Sequence, residues 1–146
     1  MKNSKGFTLV ELLISIAIIA IITAIAIPSY SSHLVKTRRA TASSCLLELS
    51  QIFERGFIAG NTFNMDIDGD GSAEGKDETL SGECVNDLTT HYNFNIEAIS
   101  KTAYKLTAAP RPAQYDPACE SLSLNQNGEL TVSDNAEQNA KTCWNR

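Results

Sequence analysis

The stretch that decides the reading is "KGFTLVELLISIAIIAIITAIAIPSY", residues 5–30. From Phe7 to Ile27 it holds 21 residues with one charged side chain, Glu11. As a helix rising ~1.5 Å per residue, such a run spans ~30 Å, the thickness of a bilayer's hydrocarbon core. An ordinary secretory signal has an apolar part of only ~7–15 residues. Ala24-Ile25-Ala26 imitates its cleavage site, but the run is too long and carries a carboxylate. A carboxylate at mid-bilayer costs ~2.5–3.5 kcal/mol on insertion scales, and less near a helix end. Glu11 therefore asks for a cation that arrives after insertion.

The whole chain has 146 residues, room for one domain besides this segment. Its formal charge of -5 argues against nucleic acid as a partner, because binding by counterion release needs a basic face. Lys36, Arg38 and Arg39 form a short basic cluster that reads as the solvated side of a helix. Cys45, Cys84, Cys119 and Cys143 lie far apart with no C-x-x-C pair, unlike a zinc site or a redox motif. In an oxidising compartment they read as two disulfides, and the spacing leaves all three pairings open.

Pro28 within a helical pattern removes a backbone hydrogen bond and is expected to kink or loosen the helix. Beyond it Leu34, Cys45, Leu46, Leu49, Ile52 and Phe53 recur at helical spacing, with Lys36, Arg39, Glu48 and Gln51 between them. This predicts an amphipathic helix ending between Gly56 and Gly60. Residues 61–91 are rich in Gly, Asp and Glu and read as a long loop. "YNFNIEAI" at 92–99 and "AYKLTA" at 103–108 alternate apolar and polar residues, as half-buried strands do. "SLSLNQNGELTV" at 121–132 places two more strands around Asn127-Gly128. One long helix followed by four short strands predicts an α+β fold with an antiparallel sheet on the helix's second half. Tyr92, Phe94 and Tyr104 then belong to the core.

"DIDGDGSAEGKD", residues 66–77, has Asp at loop positions one, three and five, Gly at six and an acid at twelve. That spacing lets carboxylates converge on one hard cation. Asp66, Asp68, Asp70 and Asp77, with the Ser72 carbonyl and Glu74 through water, are the candidate calcium ligands. The usual twelfth ligand is Glu, no flanking helices are evident, and a solvated acidic turn is the competing reading. His33 and His91 stand near no nucleophile motif, and "DGDGSAEG" lacks the Lys-Ser/Thr of a phosphate loop. No enzyme signature survives.

The N-terminus resembles that of type IV pilins and the related pseudopilins of type II secretion. It has a short basic leader ending in Gly6, then Phe7-Thr8-Leu9-Val10-Glu11-Leu12, then an apolar helix interrupted by Pro28. The resemblance implies that prepilin peptidase cuts between Gly6 and Phe7 and methylates the new amino group of Phe7. It also implies that Glu11 neutralises the N-terminal ammonium of a neighbouring subunit during assembly. Residues 1–6 would be the leader, 7–29 the membrane-spanning and filament-core helix, and 30–146 the globular domain on a four-stranded sheet. "CESLSLNQNGELTV" followed by a terminal "CW" resembles minor pilins of the PilE type, which implies that Cys119 pairs with Cys143 and leaves Cys45 for Cys84.

The function expected on this resemblance is a structural subunit, of the minor kind, of a type IV pilus. No cofactor is required beyond the calcium candidate. Its partners would be other pilins, the peptidase, the inner-membrane assembly platform and, before assembly, the membrane itself. Lys2 and Lys5 favour a cytoplasmic N-terminus and Lys36, Arg38 and Arg39 at the other end pull the opposite way, so the N-in orientation in the bacterial inner membrane is what the resemblance implies. The assembled form would be extracellular. A type II secretion pseudopilin is an alternative, against which the C-terminal cysteines count. A DNA-binding pilin for natural transformation is another, against which the charge counts: removing the leader takes away Lys2 and Lys5 and moves -5 to -7.

Overall fold

The computed structural model describes residues 7–60, 78–80, 82–100 and 102–144. It divides into two compact units, one up to Leu34 and one from Val35 onward. Helix α1, Leu9–Gly60, contributes to both.

In the first unit every large apolar side chain from Phe7 to Ile27 is more than half exposed. Nothing among the described residues covers them, as expected of a helix that is apolar all round. The helix continues through Pro28. A proline removes one hydrogen bond from the ladder, a small loss in a helix of 52 residues. The Ser31 hydroxyl donates to the Pro28 carbonyl at 3.0 Å, and Ser32 to Ser29 at 3.0 Å.

In the second unit α1 turns Ala42, Cys45, Leu46, Leu49 and Phe53 inward, each at most 2% exposed. Their spacing of three and four residues puts them on one face. They meet an antiparallel sheet of strands β1 (Glu78–Thr79), β2 (Tyr92–Ser100), β3 (Ala103–Pro110), β4 (Leu122–Asn125) and β5 (Leu130–Val132), in that order. The four long-range strands expected from alternation are present. Tyr92, Phe94 and Ile96 alternate inward from β2, Tyr104, Leu106 and Ala108 from β3, and Leu122 and Leu124 from β4. Phe53 stacks on Tyr104 with ring centroids 5.1 Å apart, tying helix to sheet. Burial, with Glu54 beside it, raises the Tyr104 phenol pKa above its ordinary range, and the phenol donates to Glu54 Oε1 at 3.1 Å.

The expected loop at 61–91 is only partly a loop. Beyond residue 77 it supplies β1, whose Glu78 and Thr79 pair with Ile96 and Asn95, and the short helix α2, Glu83–Asn86. Leu80, Val85 and Leu88 are buried there. These three are spread too thinly in sequence to show a period. The turn near Asn127-Gly128 also differs from a two-residue hairpin. Gly128 N–H donates to the Asn125 carbonyl at 3.0 Å, and Gly128 takes φ 73. This is a three-residue connection closed by a left-handed glycine.

Arg39 departs furthest from expectation. It is not on the solvated face but 8% exposed, and its Nη1 donates to both carboxylate oxygens of Asp116, at 3.0 and 2.8 Å. Asp116 is 5% exposed. Gln114, fully buried, adds an Nε2 hydrogen bond to the Val35 carbonyl at 2.9 Å and one to the Tyr92 hydroxyl at 3.2 Å. Burial and the Asp116 carboxylate together push the Tyr92 phenol up to about 12. The segment between β3 and β4 is thus fastened to α1 by charge and amide contacts.

Removing one partner of such a pair strands the other. Asp116→Ala is expected to cost ~3–5 kcal/mol, whereas Arg39→Met with Asp116→Leu recovers most of that loss. Melting of the full chain in detergent measures both, and an Asp116→Ala chain as stable as the parent would remove the pair from the account of the fold.

Candidate assembly site

Glu11 sits in the first turn of α1, three residues after Thr8. Its Oε2 accepts from the Thr8 backbone N–H at 3.0 Å and from the Thr8 hydroxyl at 2.9 Å. In return the Glu11 N–H donates to Thr8 Oγ1 at 3.2 Å. This is a reciprocal capping box, which satisfies backbone donors that the first turn otherwise leaves open. The T-x-x-E spacing carries that signal in sequence. Both short contacts fall on Oε2; among the described residues Oε1 accepts no hydrogen bond. Phe7, just before the cap, is 85% exposed. Oε2 thereby fixes the start of the helix. Gly6 lies outside the described residues.

The cysteines form two bridges. Cys45 on α1 joins Cys84 on α2, with Cα atoms 5.6 Å apart, and Cys119 joins Cys143, also at 5.6 Å. The second bridge fastens the end of the chain, whose short helix α3, Ala140–Cys143, is capped by Asn139 accepting from Thr142 N–H at 3.0 Å. Backbone bonds from Glu137 to Pro117 and from Gln138 to Ala118 stitch the same loop to the segment before β4. Trp144, 5% exposed, donates Nε1–H to the Thr131 carbonyl at 3.0 Å and covers β5. Closing loops of this size is worth ~2–4 kcal/mol per bridge.

The calcium candidates Asp66, Asp68, Asp70, Ser72 and Asp77, with Glu74, lie outside the described residues. Among the described residues no group of three or more His, Cys, Asp or Glu comes together to hold a metal. His33 is exposed on α1, and His91 is half-buried just before β2. α1 is long and apolar enough to cross a membrane, and none of its apolar window is buried inside the protein.

Residues 1–27 match the family described as the prokaryotic N-terminal methylation motif. Residues 28–123 match the family described as type IV minor pilin ComP, DNA uptake sequence receptor. The chain belongs to the type IV pilin family. A fimbrial protein of Pseudomonas aeruginosa is 43% identical to it over 60 residues, 41% of this chain and 39% of that protein. The type IV major fimbrial protein FimA of Dichelobacter nodosus is 33% identical over 99 residues, 60% of this chain and 62% of that one. This pilin therefore spans less than two thirds of the length of either relative. The crystal structure of the Neisseria meningitidis non-core minor pilin PilV matches with a TM-score of 0.49 and 22% identity, over 70% of this chain and 89% of that one. The family is one of structural proteins, and nothing in this pilin's described residues assembles a catalytic constellation.

Proposed function

We propose that this pilin is a structural subunit, of the minor kind, of a type IV pilus. Prepilin peptidase cuts it between Gly6 and Phe7 and methylates Phe7. Residues 7–29 hold it in the bacterial inner membrane with the N-terminus cytoplasmic. The assembly platform then moves it into an extracellular filament with other pilins. One observation carries the reading. Over residues 9–27 the helix is apolar on every side and uncovered among the described residues, yet it bears one carboxylate, held at its first turn with one oxygen left over. A lone charge packed among apolar helices is strongly unfavourable, and one paired with an ammonium much less so. Glu11 thus favours a neighbour docked in register over any slipped arrangement.

A second reading is DNA capture, because the family matching residues 28–123 is described as a DNA uptake sequence receptor. The side-chain charge of -7 without the leader opposes it. Retention of duplex DNA by the full chain, measured against rising salt, separates the two readings; binding that weakens steeply with salt would favour capture. Calcium at Asp66, Asp68, Asp70, Ser72 and Asp77 is supported by the acid spacing alone. Calorimetric titration of calcium into the chelator-treated chain is expected to give heat that Asp66→Asn abolishes.

The assembly reading is tested by Glu11→Ala. That variant is expected to insert in the membrane as the parent does and to enter sheared surface fibres at least about tenfold less. Truncating one partner of a buried ion pair costs ~3–5 kcal/mol, and ~1.4 kcal/mol is already tenfold. Incorporation equal to the parent would sink the charge-pairing account.

A further inference from the structure

Asn127 and Gly128 stand at the tip between β4 and β5, both exposed. They are the one Asn-Gly pair in the sequence. Such a pair carries a reaction of its own, because the backbone nitrogen that follows an asparagine can attack that residue's side-chain carbonyl carbon and close a cyclic imide. A side chain on the following residue crowds the attack, and glycine has none. Gly128 holds φ 73, and a Cβ added there would meet nothing within 4 Å, so the flank of the attacking nitrogen is open to water. Among the described residues no hydrogen bond ties down the Asn127 side-chain amide.

What restrains the pair is Asn125. The Gly128 N–H, whose proton has to leave, is donated to the Asn125 carbonyl at 3.0 Å. Asn125 Oδ1 accepts from the backbone N–H of Asn127 and from that of Glu129, both at 3.0 Å. Asn125 Nδ2 donates to Glu129 Oε2 at 2.6 Å. One side-chain amide thus holds the backbone on both sides of Gly128, in the conformation where the Gly128 nitrogen keeps its proton. Breaking a hydrogen bond on the way to the imide slows the reaction by up to about tenfold.

We propose that Asn127 is a site of spontaneous deamidation in the folded chain and that the Asn125 side chain sets its rate. The step balances with water alone. The Gly128 nitrogen gives up its proton and bonds to Asn127 Cγ, the side-chain nitrogen leaves as ammonia, and water then opens the imide at either carbonyl. Both openings return a proton to the Gly128 nitrogen. Cleavage at Cγ leaves aspartate at 127, and cleavage at the main-chain carbonyl leaves isoaspartate, which threads the chain through the side-chain carbon.

Either product adds a carboxylate beside Glu129, and isoaspartate also lengthens the connection that Asn125 closes. β5 begins at Leu130, and its Thr131 carbonyl accepts the Trp144 indole N–H. The change therefore reaches the strand to which the end of the chain is fastened. It is one-way and accumulates with the age of the chain.

The test warms the full chain in detergent at neutral pH and follows each asparagine by peptide mass spectrometry, with aspartate and isoaspartate separated. Asn127 is expected to convert ahead of Asn93, Asn95, Asn125, Asn135 and Asn139 and to give both products. Asn125→Ala, with its sheet checked by circular dichroism, is expected to convert at 127 at least about tenfold faster. Should that variant not fold, Glu129→Ala removes only the Nδ2 contact and is expected to speed conversion about threefold. Asn127 intact in the folded parent, while the urea-unfolded chain converts there, would mean that the turn blocks the reaction and would overturn the site. Earlier conversion at another of these asparagines would overturn it as well. An unchanged rate at 127 in the folded variant would remove Asn125 from control of the reaction.

Discussion

The 52 residues of α1 are two different surfaces on one backbone, and what each surface meets follows from where its apolar side chains fall. Before Pro28 they point in every direction, so no single sheet could cover them. After Val35 they narrow to the stripe of Ala42, Cys45, Leu46, Leu49 and Phe53, which one sheet face can cover. The sheet, the bridges and the C-terminal loop are all arranged around that stripe. The surface before Pro28 is left uncovered among the described residues, and Glu11 is the one charge between Phe7 and Ile27.

Much of this was legible in residue spacing. The helix, the four principal strands and the core positions of Tyr92, Phe94 and Tyr104 follow from local periodicity, which depends only on nearby residues. Arg39 was placed on the wrong side of the helix because local spacing cannot see Asp116, 77 residues away. The same limit hid Gln114, whose amide serves Val35 and Tyr92. β1 has two residues, too few to alternate, and exists because β2 offers it an edge. The hairpin signal at Asn127-Gly128 located the turn, but the loop length was set by the register of Leu122 with Val132 and Leu124 with Leu130.

The candidate assembly site was legible in a different way. Glu11 stands out because a charge in an apolar run is costly, so its importance could be argued before any fold was known. Its capping of Thr8 could also have been read, from a pattern of two residues. The disulfide partners could not be derived from spacing, since four cysteines allow three pairings and only the packing of α2 against α1 brings Cys84 to Cys45.

The order of attachments along α1 has a mechanical consequence. A pull on the helix from its N-terminal side meets, in sequence, the hydrogen bond at Val35, the ion pair at Arg39, the buried stripe beginning at Ala42 and the covalent bridge at Cys45. The first two can break and re-form with small displacements. The bridge to Cys84 cannot yield without chemistry, so the helix can slip against the sheet only as far as the slack before Cys45 allows. Tension carried by the helix is thereby handed to the sheet through reversible contacts first and a permanent stop second.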